Sequence, residues 1–459
     1  MKTLHTVAAS LALAVVALGA TSCENDNINP YDYNSSTSDD TNKGSTDVVS
    51  TQLAEYPVGS LVWSKDTLLS ESVEIPEGTS LYIEPGVTVT CSSSSKVPVE
   101  LVVLGNLYCM GTADKPVSFV SDTKKANDWG GIICGYNASE VVLSYTELAY
   151  GGATPTESSF SFQNKLFKTT IDGGVPAFHF CNVSGRFVMD HCYLHDNYND
   201  QVYFTGGNGI ITNSVFADNG NAADGGDAIN VKSGCRLDVA YNLVYNACTN
   251  AFKLSNSGND ETHPLTEMNV YNNTMVNCGW RRSKNKKGGS IWLEKSIYPT
   301  FVNNLVYDCR YGMKQPKKDG CLVEQSRLTP NYFYASTATG LEQMSEGADL
   351  IMLFDQDIRS TAAGDKNPLF TAFTQNPLMN VNCEVDDPAE GAPLAYDKAW
   401  NFTPQTGSPA LSGGVTDFTR MFPDGLAFFG VKKINWLDSS NDRNYYFSAP
   451  APQAKFGAY

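Results

Sequence analysis

Between residues 176 and 314, short runs of alternating apolar and polar residues return in groups of three. The opening runs are Ala177-Phe-His-Phe, Gln201-Val-Tyr-Phe, Ala228-Ile-Asn-Val, Ala251-Phe-Lys-Leu and Ser290-Ile-Trp-Leu. The second runs are Arg186-Phe-Val-Met, Gly209-Ile-Ile-Thr, Leu237-Asp-Val-Ala-Tyr, Met268-Asn-Val-Tyr and Thr300-Phe-Val-Asn. The third are His191-Cys-Tyr-Leu, Asn213-Ser-Val-Phe, Asn242-Leu-Val-Tyr, Asn273-Thr-Met-Val and Asn304-Leu-Val-Tyr, which begin 22, 29, 31 and 31 residues apart. A period of two marks strands with one buried face, and a repeat of this length marks a solenoid. Strands so short bury nothing alone, so successive turns must stack at about 4.8 Å. The join before the third run is usually Asn, which tolerates the left-handed backbone of a sharp bend. Each repeat is expected to run strand, one-residue corner, strand, and the chain to be an all-β, three-sheet parallel β-helix.

Alternation also assigns side chains to faces. In the opening strands Phe178, Val202, Ile229, Phe252 and Ile291 point inward, as do Phe180, Phe204, Val231, Leu254 and Leu293. The residues between them, His179, Tyr203, Asn230, Lys253 and Trp292, must point out, one per coil. Such a column of aromatic rings, amide, imidazole and ammonium suits a sugar polymer, whose rings have an apolar face and a hydroxyl rim. A solvated polar surface would read the same way.

The Asn corners resemble the asparagine ladder of the pectate-lyase-like right-handed β-helix superfamily. Leu81-Tyr-Ile-Glu-Pro-Gly-Val-Thr-Val, Leu101-Val-Val-Leu-Gly-Asn-Leu-Tyr-Cys-Met-Gly-Thr and Trp129-Gly-Gly-Ile-Ile resemble β-helix lipoproteins of Bacteroidetes-type bacteria. The resemblance spans roughly residues 56 to 435. It implies a right-handed β-helix with terminal caps but leaves activity open, since the superfamily holds lyases, hydrolases and non-catalytic proteins.

A formal charge of -17 and a pI near 4.7 argue against nucleic acid as a partner, because phosphate binding needs a basic face. Lys2, the apolar run Val7 to Ala20 and Ala20-Thr-Ser-Cys23 read as a secretory signal over residues 1–22, too short for a membrane span. The ending resembles a bacterial lipobox, which would make Cys23 the lipidated first residue of an outer-membrane, cell-surface protein; a periplasm-facing location is the alternative. Residues 23–55 then form a polar, disordered tether. The β-helix is expected over 56–415 and a cap or tail over 416–459, whose Phe428, Phe429, Trp436, Tyr445, Tyr446 and Phe447 suit either capping or a partner. Residues 153–174 form a long loop, and 331–365 break the pattern through a helix or a lateral excursion.

Eleven of the 12 cysteines follow Cys23, without CxxC spacing, so neither a disulfide framework nor a metal site is expected. Cys248, Cys278 and Cys309 fall one repeat apart and predict a stack of buried thiols. His191 and His195 lack the glutamate of a zinc motif, and His191 fits a corner.

Two groups of residues suggest chemistry. Asp200, Asp227 and Asn250 precede opening strands one coil apart, with Asp224 three residues before Asp227. Gly226-Asp-Ala-Ile-Asn-Val-Lys-Ser-Gly234 resembles part of the polygalacturonase motif, but Gly226 replaces the first of two adjacent aspartates, and the later Gly-His-Gly and Arg-Ile-Lys motifs have no match. Aspartates that cap turns are the simpler account. The basic run Trp280-Arg-Arg-Ser-Lys-Asn-Lys-Lys287 joins Lys253, with Lys314, Lys317 and Lys318 nearby. Elimination from a uronate needs a base and a cation for its carboxylate, and Lys253 with Arg281 or Arg282 fit those tasks. Ca²⁺ is a possible helper in a lyase, held by Asp200, Asp224 and Asp227, although no clear ligand cluster stands out. The expected function is non-catalytic binding of an acidic polysaccharide through His179, Tyr203, Asn230, Lys253, Trp292, Arg281 and Arg282. A lyase or hydrolase using Asp200, Asp227 and Lys253, or an adhesin or surface structural protein, are the alternatives.

Overall fold

The computed structural model describes residues 56–166, 173–221, 225–282, 288–345, 350–373, 395–432 and 445–459. Cys23, the tether, Asp224, Trp436 and residues 283–287 lie outside these. The chain winds as a right-handed parallel β-helix whose described strands stack into three long sheets of nine, eleven and ten strands. In each coil a strand of the ten-stranded sheet, such as Phe178–Phe180, leads to one of the nine-stranded sheet, Arg186–Asp190, and then to one of the eleven-stranded sheet, Tyr193–His195. These are called below the third, first and second sheets.

The lumen is filled by the inward rows. Phe178, Val202, Ile229, Phe252 and Ile291 pair in register and are fully buried, as the alternation requires. In the first sheet Gly209 pairs with Phe187, and its missing Cβ makes room for that ring, which would otherwise lie 2.2 Å away. Apolar burial along this lumen is the main stabilising term.

From His191 to Asn304 the corner between the first and second sheets holds two residues, not one, while at Tyr145 it holds one. The first is left-handed at Tyr145, His191, Asn213, Tyr241, Asn272 and Asn303, with φ between 44° and 61°. The second carries the ladder: Asn242 Nδ2 donates to Asn273 Oδ1 at 2.9 Å, Asn273 Nδ2 to Asn304 Oδ1 at 2.9 Å, and Asn304 Nδ2 to Asn331 Oδ1 at 3.1 Å. His191 and Asn213 are thus equivalent to Tyr241, Asn272 and Asn303, one residue ahead of the ladder. The same one-residue slip corrects the thiol stack. Cys278 N–H donates to Cys309 Sγ at 3.3 Å, but Ala247 occupies their place in the preceding coil, after left-handed Asn246. Cys248 instead donates to the Asn221 carbonyl at 3.1 Å.

Residues 331–365 close the C-terminal end. Met344 of the helix Ala338–Ser345 and Met352 of the antiparallel strand Leu350–Met352 enter the apolar core, with Leu341, Leu353 and Phe354 packed against it. Residues 416–459 were read as a cap or tail, and their described part lies along the flank of the stack. Phe422, Phe428, Val431 and Ala449 cover the outward row of the first sheet, where Tyr82, Tyr108, Val142, Val188 and Ile210 are too apolar to face water. Tyr271 and Tyr241 fasten this segment by donating to the carbonyls of Pro450 and Ala451, each at 2.7 Å.

Candidate functional site

The outward column of the third sheet holds its register: His179 pairs with Tyr203, Tyr203 with Asn230, Asn230 with Lys253, Lys253 with Trp292, and Trp292 with Lys314. It is not, however, an exposed stripe. His179, Asn230 and Trp292 are 0%, 3% and 1% exposed, while Tyr203 and Lys253 are half-buried. At one end Leu166 and Phe160, from the loop after residue 153, pack with Val175 on the outward face at Ile133 and Cys181. Ser161 anchors that loop by donating to the buried Glu100 carboxylate. Beside it burial pushes the His179 imidazole down to about 3, so it is neutral. At the other end the Trp292 indole donates to Glu294 at 2.8 Å and lies beneath the Lys314 ammonium, 5.2 Å from the ring. At 1% exposed, Trp292 offers no open stacking platform.

The middle of the column is a compact charged site. Asp200 and Asp227 end the turns before two adjacent strands, and the Asp227 N–H donates to Asp200 Oδ1 at 2.7 Å. One amide, Asn230 Nδ2, bridges the two acids at 2.9 and 3.2 Å. Asn250 Nδ2 donates to Asp227 Oδ1 at 2.6 Å. Burial, and then the charge of Asp200, hold the Asp227 carboxyl above its ordinary range. Asn230 Oδ1 and Asn250 Oδ1 are buried without a hydrogen-bond partner among the described residues, which leaves two acceptors open in this corner.

Two lysines face this acid pair, with opposite displacements. Burial works to lower the Lys253 pKa, but Asp227, Glu294 and Asp200 outweigh it, so its ammonium is held above the ordinary lysine value. Its Nζ lies 3.9 Å from Asp227 Oδ2. Lys232, two residues beyond Asn230 on the same face, is pushed down to about 8 by burial and then by the charge of Lys253. Its ammonium stands 5.4 Å from the Tyr203 ring centroid. The Tyr203 phenol is in turn raised by burial and by the neighbouring carboxylates. Lys232 was not singled out by the sequence, although alternation carried two residues past Asn230 would have placed it outward.

The arginines divide. The Arg281 guanidinium is spent on protein: it donates to Asn246 Oδ1 at 3.1 Å and to the carbonyls of Asn246 at 2.7 Å, Gly220 at 3.2 Å and Asn219. It braces consecutive coils, contrary to the expectation that it reaches a sugar. Arg282 lies against Gly225, where a Cβ would meet Nη1 at 2.8 Å, and its charge acts on Lys253. Among the described residues, which do not include Asp224, the donor set does not fit a Ca²⁺ ion. Calcium needs six to eight oxygens, while here the Lys253 ammonium sits beside Asp227, the Asn230 and Asn250 amides donate to the acids, and the described residues bring together no cluster of three acidic, histidine or cysteine ligands.

Fold and site together define a parallel β-helix with a charged cluster on the outer face of one sheet. Residues 59–367 match the model for the pectate-lyase-like beta helix domain, and the chain belongs to that family. Membership gives it a polysaccharide-related function at the level of the family. No curated protein and no solved structure matches the chain.

Proposed function

We propose that the chain binds a uronate-containing polysaccharide at the Lys232–Lys253 cluster and cleaves it by β-elimination. The geometry that carries this is two lysines on one outward face, Lys253 with its Nζ 3.9 Å from Asp227 Oδ2 and Lys232 with its ammonium 5.4 Å from the Tyr203 ring, and their pKa values are shifted in opposite directions. Lys253 pairs with the sugar carboxylate, which makes the adjacent C5–H more acidic. Neutral Lys232 takes the C5 proton and becomes an ammonium. The electron pair left on C5 forms the C4–C5 double bond as the C4–O bond breaks, and the leaving oxygen takes a proton from water. Two carboxylates bridged by one amide are a poor acid and nucleophile for hydrolysis, because Asn230 and Asn250 already occupy Asp227.

Non-catalytic binding is the second reading, favoured by the burial of Lys232, which at 9% exposed has little access to a polymer. Purified protein incubated with pectins, alginate and glycosaminoglycans separates the two, by following unsaturated-uronate absorbance alongside binding. Absorbance that rises with the wild type and is lost in Lys232→Gln supports elimination. Binding without absorbance supports the module, and neither result leaves the cluster without a uronate ligand. The proposal includes display at the outer cell surface through a lipid on Cys23, supported by the lipobox-like ending of the apolar run. Fatty-acid labelling that survives Cys23→Ala would sink that part.

A further inference from the structure

A cavity of about 330 Å³ opens on the first sheet, between the starts of its early strands and the C-terminal segment. Its chemistry is unlike that of the lysine cluster. The floor is the edge of two stacked rings, Tyr82 and Tyr108, with centroids 4.7 Å apart and planes at 16°. The rings are buried, but their hydroxyls work at the cavity: Tyr82 donates to the Gly430 carbonyl at 3.2 Å and Tyr108 to Glu140 Oε2 at 2.7 Å. Each phenol oxygen keeps lone-pair capacity for a further donor. Ser80 Oγ accepts from Asn106 Nδ2 at 3.2 Å, and its hydroxyl bonds toward the Tyr82 and Tyr108 phenols, so it joins them in one polar edge.

The rim is Phe429. Its neighbour Phe428 is 0% exposed and belongs to the packed flank, whereas the Phe429 ring is 51% exposed. The Arg186 guanidinium lies over it, 5.5 Å from the centroid. The segment is held in place by Glu140, whose carboxylate accepts from the N–H groups of Phe429 at 3.1 Å and Gly430 at 3.0 Å. Gly430 has no alternative, since a Cβ there would lie 2.0 Å from the Tyr108 hydroxyl. The ring is therefore presented from a fixed backbone, not left to swing.

We propose that this cavity binds the terminal ring of a neutral sugar. A sugar has an apolar face for Phe429 and a rim of hydroxyls that both donate and accept, matching Ser80, Asn106 and the two phenols. Among the described residues Glu140 is the one charged residue that lines the cavity, and it is a carboxylate. A uronate placed against Glu140 meets like charge, with Arg186 the nearest cation only at the rim, so a neutral ring is favoured there. The volume is at the small end of ligand sites and suits one or two rings. This site does not depend on turnover at Lys232.

The test is calorimetric titration of the full chain with galactose, glucose, mannose, arabinose and rhamnose, and with their oligosaccharides. At least one of these binds the wild type, and Phe429→Ala weakens it about tenfold. Phe429 is exposed, so its truncation leaves the fold intact, which an unchanged melting curve verifies. Ser80→Ala provides an independent loss, while Lys253→Ala leaves this binding unchanged. The proposal is overturned if no neutral sugar binds, if both Phe429→Ala and Ser80→Ala bind as the wild type does, or if the matching uronic acid binds better than the neutral sugar.

Discussion

Two outward rows, built by the same stacking, meet opposite fates. In the first sheet Tyr82, Tyr108, Val142, Val188, Ile210, Asp238 and Asn269 pair in sequence up one flank. In the third sheet Ile133, His179, Tyr203, Asn230, Lys253, Trp292 and Lys314 do the same. The first row is largely apolar and is covered by the chain's own C-terminal segment. The polar part of the third row is compensated by its neighbours, so charge can be buried there at the cost of shifted pKa values. In a solenoid one position repeated per coil becomes a surface, and the chemistry of that position decides whether the surface is covered or used.

The comparison breaks most visibly at the lysines. Lys232→Gln is expected to lower the elimination rate by roughly 10²–10⁴-fold with polymer binding retained, whereas Lys253→Ala loses binding as well. In the wild type, activity rises with pH as Lys232, displaced to about 8, gives up its proton. A rate independent of pH from 6 to 9 would remove Lys232 from the base role. The next effect is on the covered flank, where Asp238 accepts from Met421 N–H and Phe422 N–H, both at 3.0 Å, and from Asn269 Nδ2 at 3.1 Å. Asp238→Ala strands those donors and is expected to cost roughly 2–4 kcal/mol in chemical denaturation, with the C-terminal segment becoming protease-sensitive first. A protected segment at unchanged stability would mean that apolar cover alone holds it.

Much of the third sheet was legible because a period of two leaves little freedom: once Phe178 and Phe180 point in, His179 points out. The corner was less legible because asparagine suits both of its positions for different reasons, a left-handed backbone at Asn213 and a side-chain ladder at Asn242. Asn272-Asn273 and Asn303-Asn304 place both kinds side by side, and that is where alignment slipped. Cover was not legible at all. Leu166 and Phe160, which seal the outward face near His179, come from an irregular loop. Asp238 and Met421 are separated by 183 residues without any repeat to connect them. Periodicity reports which way a side chain points, not what later segment settles on it. The ladder itself gives the sharper prediction: Asn273→Ala removes the acceptor of Asn242 N–H and Nδ2 and is expected to cost about 1–3 kcal/mol, read as a lower denaturation midpoint.

The second sheet supplies the smallest effect and a control for the other two, because it keeps charge that neither the lysine cluster nor the flank uses. His195 is held by Asp196 at 2.7 Å and Glu147 at 3.1 Å. Burial alone would lower its pKa, but the two carboxylates outweigh it, so the imidazolium is favoured in the fold. The hydrogen bond from His195 in turn lowers Glu147 to about 2. A raised histidine contributes stability fully below its unfolded value of 6.5 and loses it as pH rises through the folded value. A depressed glutamate contributes above 4.5 and loses it as pH falls toward about 2. The pair is thus at full strength between pH 4.5 and 6.5. With Asp196 partly exposed and screened, His195→Gln is expected to cost only about 0.5–1 kcal/mol there. The cost should shrink toward pH 9, where elimination at the lysine cluster speeds up. A deficit that grows with pH instead would mean that the imidazole is neutral in the fold, and that its carboxylate partners are paired through something other than its charge.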